Sequence, residues 1–135
     1  MNDAEDPVSN APVSKDRPVD GLLVMVVEDE LLIAASLEIA LESRGYRVIG
    51  PVATVDEALE LLKTEQPDMA LIDYRLARTT TEALVSPLQT RKIPVCVLTG
   101  YSASQLPPTY AGCTVLEKPF RMNALLEALE HIRHG

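Results

Sequence analysis

The sequence predicts an α/β fold: a doubly wound, five-stranded parallel sheet with helices on both faces. Three observations carry this prediction. After Gly21, short apolar runs alternate with amphipathic stretches. The runs are apolar throughout, not at every second residue, which marks strands covered on both sides. The chain has 135 residues, of which the first twenty are polar and aperiodic, so about 115 remain for one core.

Residues 1–20 are rich in proline and acids and are expected to form a disordered tail, because they bury too little to offset their ordering entropy. They lack the positive start and apolar segment of a signal peptide. No apolar run reaches the length of a membrane span, so the expectation is a cytoplasmic protein with no membrane partner. The net charge of −8 argues against direct, sequence-independent binding of nucleic acid. Cys96 and Cys113 lie in apolar surroundings and read as buried thiols, not as a disulfide or metal pair.

The elements follow in order. Leu22–Val27 is the first strand. A helix runs from about Glu30 to Arg44, with Gly45 suited to the position after its C-cap. "YRVIGPVA" is a second strand, and "TVDEALELLKTEQ" is a helix with Thr54 and Glu57 at capping-box spacing. "DMALID" is a third strand, ending in Asp73. A weakly marked helix spans about Thr81 to Thr90 and contains Pro87. "IPVCVLT" and "CTVLEK" are the fourth and fifth strands. In "RMNALLEALEHIR", Leu125, Leu126, Leu129 and Ile132 share one side of a last helix. The first helix has two apolar stripes: Ile33, Leu37, Ala40 and Leu41 at core spacing, and Leu32, Ala35 and Ile39 nearly opposite, as a docking patch or a second packing face.

In doubly wound sheets the ligand site lies beyond the carboxyl ends of the strands. Here those ends carry Glu28 and Asp29, then Asp73, then Thr99 and Gly100, then Lys118 and Pro119. Carboxylates packed together need neutralising. Oxygen ligands without nearby His or Cys suit a hard cation, and a shallow site with few carboxylates suits Mg2+. Acids and lysines are also common at solvated strand ends, and Thr99 has the residue type of a helix cap. Four of five strand ends converging on one edge favours a functional site. Glu30 separates from Glu28 and Asp29 and is expected in the first helical turn, where negative charge is favourable.

"VVEDE", "LIDYRL", "VLTGY" and "LEKPF", in that order, resemble the receiver domain of bacterial two-component response regulators (CheY-like) over Leu22 to Gly135. The resemblance implies the flavodoxin-like strand order 2-1-3-4-5 over residues 21–135. It implies that Asp73 is a phospho-acceptor, charged by a histidine kinase or histidine phosphotransfer protein. Asp29, Asp73 and the backbone carbonyl of Arg75 would hold Mg2+, and Glu28 would act through a metal-bound water. Lys118 and Thr99 would contact phosphoryl oxygens, Gly100 would leave room for them, and the bond before Pro119 would often be cis. Such a protein is not an enzyme in the turnover sense. It signals to a downstream protein or acts as a phosphate sink, and homodimers are a further option.

The sequence departs from the family in three places. The loop after Asp73 lacks the usual glycine. Val115 stands where many receivers have a switching aromatic residue, leaving Tyr101 either as a partial substitute or simply as a border of the site. Pro107 and Pro108 block a regular helix between the fourth and fifth strands, so that helix is expected to be shortened or irregular and the segment to order on phosphorylation or binding. The Thr-Gly-Tyr stretch, with no output domain in view, partly resembles a stand-alone subgroup found in alphaproteobacteria, with Val97-Leu98 in place of its Phe-Ala. A haloacid dehalogenase-type Mg2+ phosphatase is disfavoured because Arg75 occupies the position of its general acid. The intact acids, Thr99 and Lys118 weigh against a vestigial, unphosphorylated interaction module. A flavin protein is weaker still, with no Trp, one Phe and no phosphate-cradling loop after the first strand. His131 and His134 suit the negative end of the last helix and lie far from the acids in sequence.

Overall fold

The computed structural model describes residues 21–133, so the expected tail and His134 lie outside it. The elements are β1 (Leu23–Val27), α1 (Leu31–Ser43), β2 (Arg47–Val52), α2 (Val55–Thr64), β3 (Met69–Asp73), α3 (Glu82–Thr90), β4 (Val95–Thr99), β5 (Thr114–Glu117) and α4 (Met122–Ile132). The strands form one sheet in the order β2-β1-β3-β4-β5, all parallel.

The sheet is covered on both faces, as the unbroken apolar strands require. Along β1 the side chains alternate between two cores. Met25 and Val27 join Ala58 and Leu62 of α2 and Leu84, Val85 and Leu88 of α3. Val24 and Val26 join Leu37 and Leu41 of α1 and Leu125 and Leu129 of α4. A strand with an apolar residue at every position is therefore satisfied only between two helical layers.

The helix boundaries follow from local chemistry. Thr54 accepts the Glu57 amide, and the Glu57 carboxylate accepts the Ala53 amide one residue before the cap, a variant of the expected reciprocal box. At the end of α1, Gly45 has φ +96. Its amide donates to Glu42 O, and that of Tyr46 donates to Leu41 O, the paired bonds of a Schellman motif. Gly50 has φ +89, and a Cβ there would lie 2.9 Å from Val26 O, where the β1–β2 register shifts. α3 tolerates Pro87 within its nine residues. The peptides before Pro51 and Pro119 are cis.

Three expectations need correction. The buried stripe of α1 is Ala34, Leu37 and Leu41, with Ile33 and Ala40 only half-buried. The stripe is centred one residue over, because 34, 37 and 41 fall on one face at 100° per residue. Glu30 is the N-cap of α1, not part of its first turn. Cys96 is buried but Cys113 is half-buried, one residue before edge strand β5; both are free thiols. Burial pushes the Cys96 thiol up to about 12 and the Cys113 thiol up to about 11, which leaves both inert as nucleophiles.

The segment between β4 and β5 contains two 3-10 turns, Ala103–Gln105 and Pro108–Tyr110, instead of an α-helix. Ser102 and Gln105 form a capping box on the first turn. Pro108 opens the second, where its missing amide is no loss. This is the irregular replacement that the two prolines predicted.

Candidate functional site

Parallel pairing brings the strand ends to one edge in register. Val27 of β1 pairs with Ile72 of β3, so Glu28 emerges beside Asp73. Asp73 pairs with Leu98 of β4, and Thr99 pairs with Glu117 of β5. The Lys118 amide donates to Thr99 O at 2.7 Å, which fixes the start of the loop carrying Lys118. The residues predicted from the strand ends therefore meet.

Glu28, Asp29 and Asp73 each offer a carboxylate oxygen within 4.8 Å of the others. Glu28 and Asp73 are 3% and 4% exposed, whereas Asp29 is half-exposed. Lys118 Nζ lies 2.9 Å from Asp73 Oδ1, an ion pair at the mouth of the cluster. Glu28 Oε2 accepts the Glu30 amide at 3.1 Å. Glu28 Oε1 has no hydrogen-bond partner, and Asp73 Oδ1 has only the Lys118 charge beside it, off a hydrogen-bonding direction.

Burial dominates the titration of this cluster. It lifts Glu28 from 4.5 to about 7, the Glu30 amide opposes that rise, and the Asp73 charge adds to it. Asp73 is also raised, chiefly by burial, with Lys118 pulling the other way. Lys118 is raised: burial works against its charge, but Asp73 and Glu28 outweigh that. A buried acidic pair whose charges are offset only by Lys118 fits a hard cation, which would take the place of the retained proton. Among the described residues, Glu28, Asp29 and Asp73 are the side chains grouped closely enough to hold it.

Beside the acids opens a cleft of about 400 Å³, lined by Asp73, Tyr74, Arg75, Leu98, Thr99, Gly100, Tyr101 and Lys118. Thr99 Oγ1 accepts the Tyr101 amide at 3.0 Å, which orients the hydroxyl and leaves its hydrogen to donate. A Cβ built on Gly100 meets no atom within 4 Å, so a side chain there would project into open space. Arg75 lies on the cleft wall, its guanidinium 5.9 Å from the centre of the Tyr74 ring. His131 lies in the last turn of α4 and is not among the residues grouped with the acids.

The response regulator receiver domain model matches residues 24–130. The chain belongs to this family. Relatives of this receiver domain include the transcriptional regulatory protein PdtaR of Mycobacterium tuberculosis, 32% identical over 111 residues, 79% of this chain and 54% of PdtaR. A solved structure of the response regulator PhyR from Brucella abortus is 31% identical with TM-score 0.73, over 84% of this chain and 48% of PhyR. A CheY-like receiver from Methanospirillum hungatei is 25% identical with TM-score 0.76, over 85% of this chain and 95% of that one. The PhyR neighbours support the alphaproteobacterial resemblance. The chain spans about half the length of the curated relatives it first matches. Among the described residues, no helix is long and apolar enough to cross a membrane.

Three residues near the receiver site had no assigned role from sequence. Tyr74 meets Tyr101 edge-on at 6.0 Å and Tyr110 edge-on at 5.4 Å. Thr81 is buried against the backbone carbonyl of Asp73 at 2.6 Å. Nothing in the sequence joins Thr81 to Tyr110, 29 residues away, because the turns that bring them together have no periodic signature.

Proposed function

We propose that this receiver domain accepts a phosphoryl group on Asp73 from a phosphohistidine protein and passes the change to a downstream protein. The observation that carries the reading is the Asp73 carboxylate, buried among acids with Lys118 at 2.9 Å and facing the cleft beside Thr99. An Asp73 oxygen attacks phosphorus as the phosphorus–nitrogen bond of phosphohistidine breaks. The imidazole leaves and takes up a proton, and an acyl phosphate remains. Lys118 offers its ammonium to a phosphoryl oxygen and Thr99 its hydroxyl to another, while Gly100 leaves the space that the group fills. Mg2+ held by Asp29, Asp73 and the Arg75 carbonyl, with Glu28 acting through a water, would supply positive charge against the acids and the transferring group.

This reading makes the protein a phospho-acceptor, not a turnover enzyme, with its site in the cytoplasm. Leu31 and Leu32 at 85% exposure, with Ile39, form an apolar face on α1 beside the site and are the proposed docking face for the phosphodonor. Intact mass after incubation with Mg2+ and a small phosphodonor tests the core of the proposal. One phosphoryl group should add to the wild type and none to Asp73→Asn. A wild type that binds Mg2+ and stays unmodified, or an Asp73→Asn protein labelled in full, would overturn it.

A further inference from the structure

Thr81 and Tyr110 are 0% and 2% exposed, and their hydroxyls lie 2.9 Å apart. Thr81 Oγ1 is also 2.6 Å from the backbone carbonyl oxygen of Asp73. A carbonyl has no hydrogen to give and a hydroxyl has one, so the direction of both bonds is fixed. Thr81 donates to Asp73, and its lone pair accepts the Tyr110 hydroxyl. The two bonds form a short chain, each polarising the other in a site closed to water.

The far end of that chain is Tyr110, the last residue of the second 3-10 turn. The neighbouring Thr109 hydroxyl donates to the Glu82 carboxylate at 2.5 Å, so the turn is also tied to the first residue of α3. A second route runs the other way round the cleft. The Tyr110 ring packs edge-on against Tyr74, Tyr74 packs edge-on against Tyr101, and the Tyr101 amide holds Thr99 Oγ1. Val115 leaves β5 without an aromatic switch, and these contacts join the acceptor strand end to the 103–110 segment.

We infer that the Tyr110–Thr81 hydroxyl pair is a positioning device, which sets the main-chain carbonyl of Asp73 and couples the acceptor to the 103–110 segment. The inference rests on Asp73 being the acceptor. A segment displaced from Thr81 removes the donor that polarises and orients the Thr81 hydroxyl, and so weakens its hold on the Asp73 carbonyl. Conversely, a shift at Asp73 on phosphorylation pulls on the turn. The coupling is reciprocal.

The test uses the full chain with saturating Mg2+ and acetyl phosphate as donor. Intact mass gives the rate of phosphoryl addition, and hydrogen exchange follows peptides covering residues 103–110 with and without the phosphoryl group. Tyr110→Phe keeps the ring and its packing and removes only the hydroxyl. It should lower the rate about tenfold and abolish the phosphorylation-dependent change in exchange. Thr81→Val should do the same, Thr81→Ser should recover the wild-type rate within about twofold, and the double variant Tyr110→Phe, Thr81→Val should be no slower than Thr81→Val alone. Wild-type rates and exchange responses in Tyr110→Phe and Thr81→Val would overturn the inference. So would a Thr81→Ser protein as slow as Thr81→Val, since a hydroxyl that fails to rescue is not the working group. A wild type that takes no phosphoryl group would instead overturn the role of Asp73, which separates the two failures.

Discussion

Raising the pH of the metal-free protein from about 5 to about 8 ionises Glu28 in a site that disfavours its charge. The ordinary value of 4.5 is raised to about 7 in the folded state, with burial the largest cause. Between those values the folded protein holds more protons than the unfolded one, so stability falls as pH rises and the loss is complete above about 7. The rise is worth about 3 kcal/mol, and Glu28 is 3% exposed, so solvent screening reduces it little. Asp73 is raised as well, and acts in the same direction. In a domain of this size the loss lowers Tm by about 10 °C. Melting curves by circular dichroism in EDTA would read it, and Mg2+ should raise Tm more at pH 8 than at pH 5, because at pH 5 it must displace a bound proton. Glu28→Gln should flatten the EDTA profile. A Tm that stays level or climbs from pH 5 to pH 8 in EDTA would refute the reasoning, and an unchanged slope in Glu28→Gln would refute its assignment to Glu28.

Other substitutions probe separate parts of the molecule. Lys118→Met removes a charge-assisted contact and should slow phosphoryl addition by about 10- to 100-fold, read by intact mass, with Mg2+ binding retained. Leu32→Glu should weaken transfer from a phosphohistidine protein while leaving labelling by acetyl phosphate intact; equal loss of both would remove α1 as the docking face. Thr54→Ala deletes the α2 cap and should cost about 1 kcal/mol in urea unfolding. Leu71→Ala, at the fully buried centre of β3, should cost about 2–5 kcal/mol by the same measurement.

The strands were legible because burial on both faces leaves an unbroken apolar run, and a parallel sheet sends every run's end to the same edge. That one geometric fact brings Glu28, Asp73, Thr99 and Lys118 together from four separate stretches of sequence. The α2 start was legible because Thr54 and Glu57 act on neighbouring backbone groups. The α1 core face was misjudged by one residue because apolar residues surround that helix, and Leu31 and Leu32 blur any stripe. Pro107 and Pro108 showed that a helix must fail, but not what replaces it. The Tyr110–Thr81 contact was illegible because it depends on how two irregular connections fold over the sheet.

Glu28 holds the amide of Glu30 at 3.1 Å with the same carboxylate that completes the acidic cluster. Leu31 and Leu32 follow directly on that peptide, exposed to solvent. The acidic pocket and the apolar helix face therefore share a single joint. Cutting the side chain back to Ala would remove a metal-facing oxygen and loosen the helix start in one stroke, and its effects on ion binding and on partner transfer could not be told apart. Gln keeps an acceptor for the Glu30 amide and puts an uncharged NH2 where the metal-facing oxygen was, so Glu28→Gln weakens the ion site while sparing the helix start that Glu28→Ala would loosen.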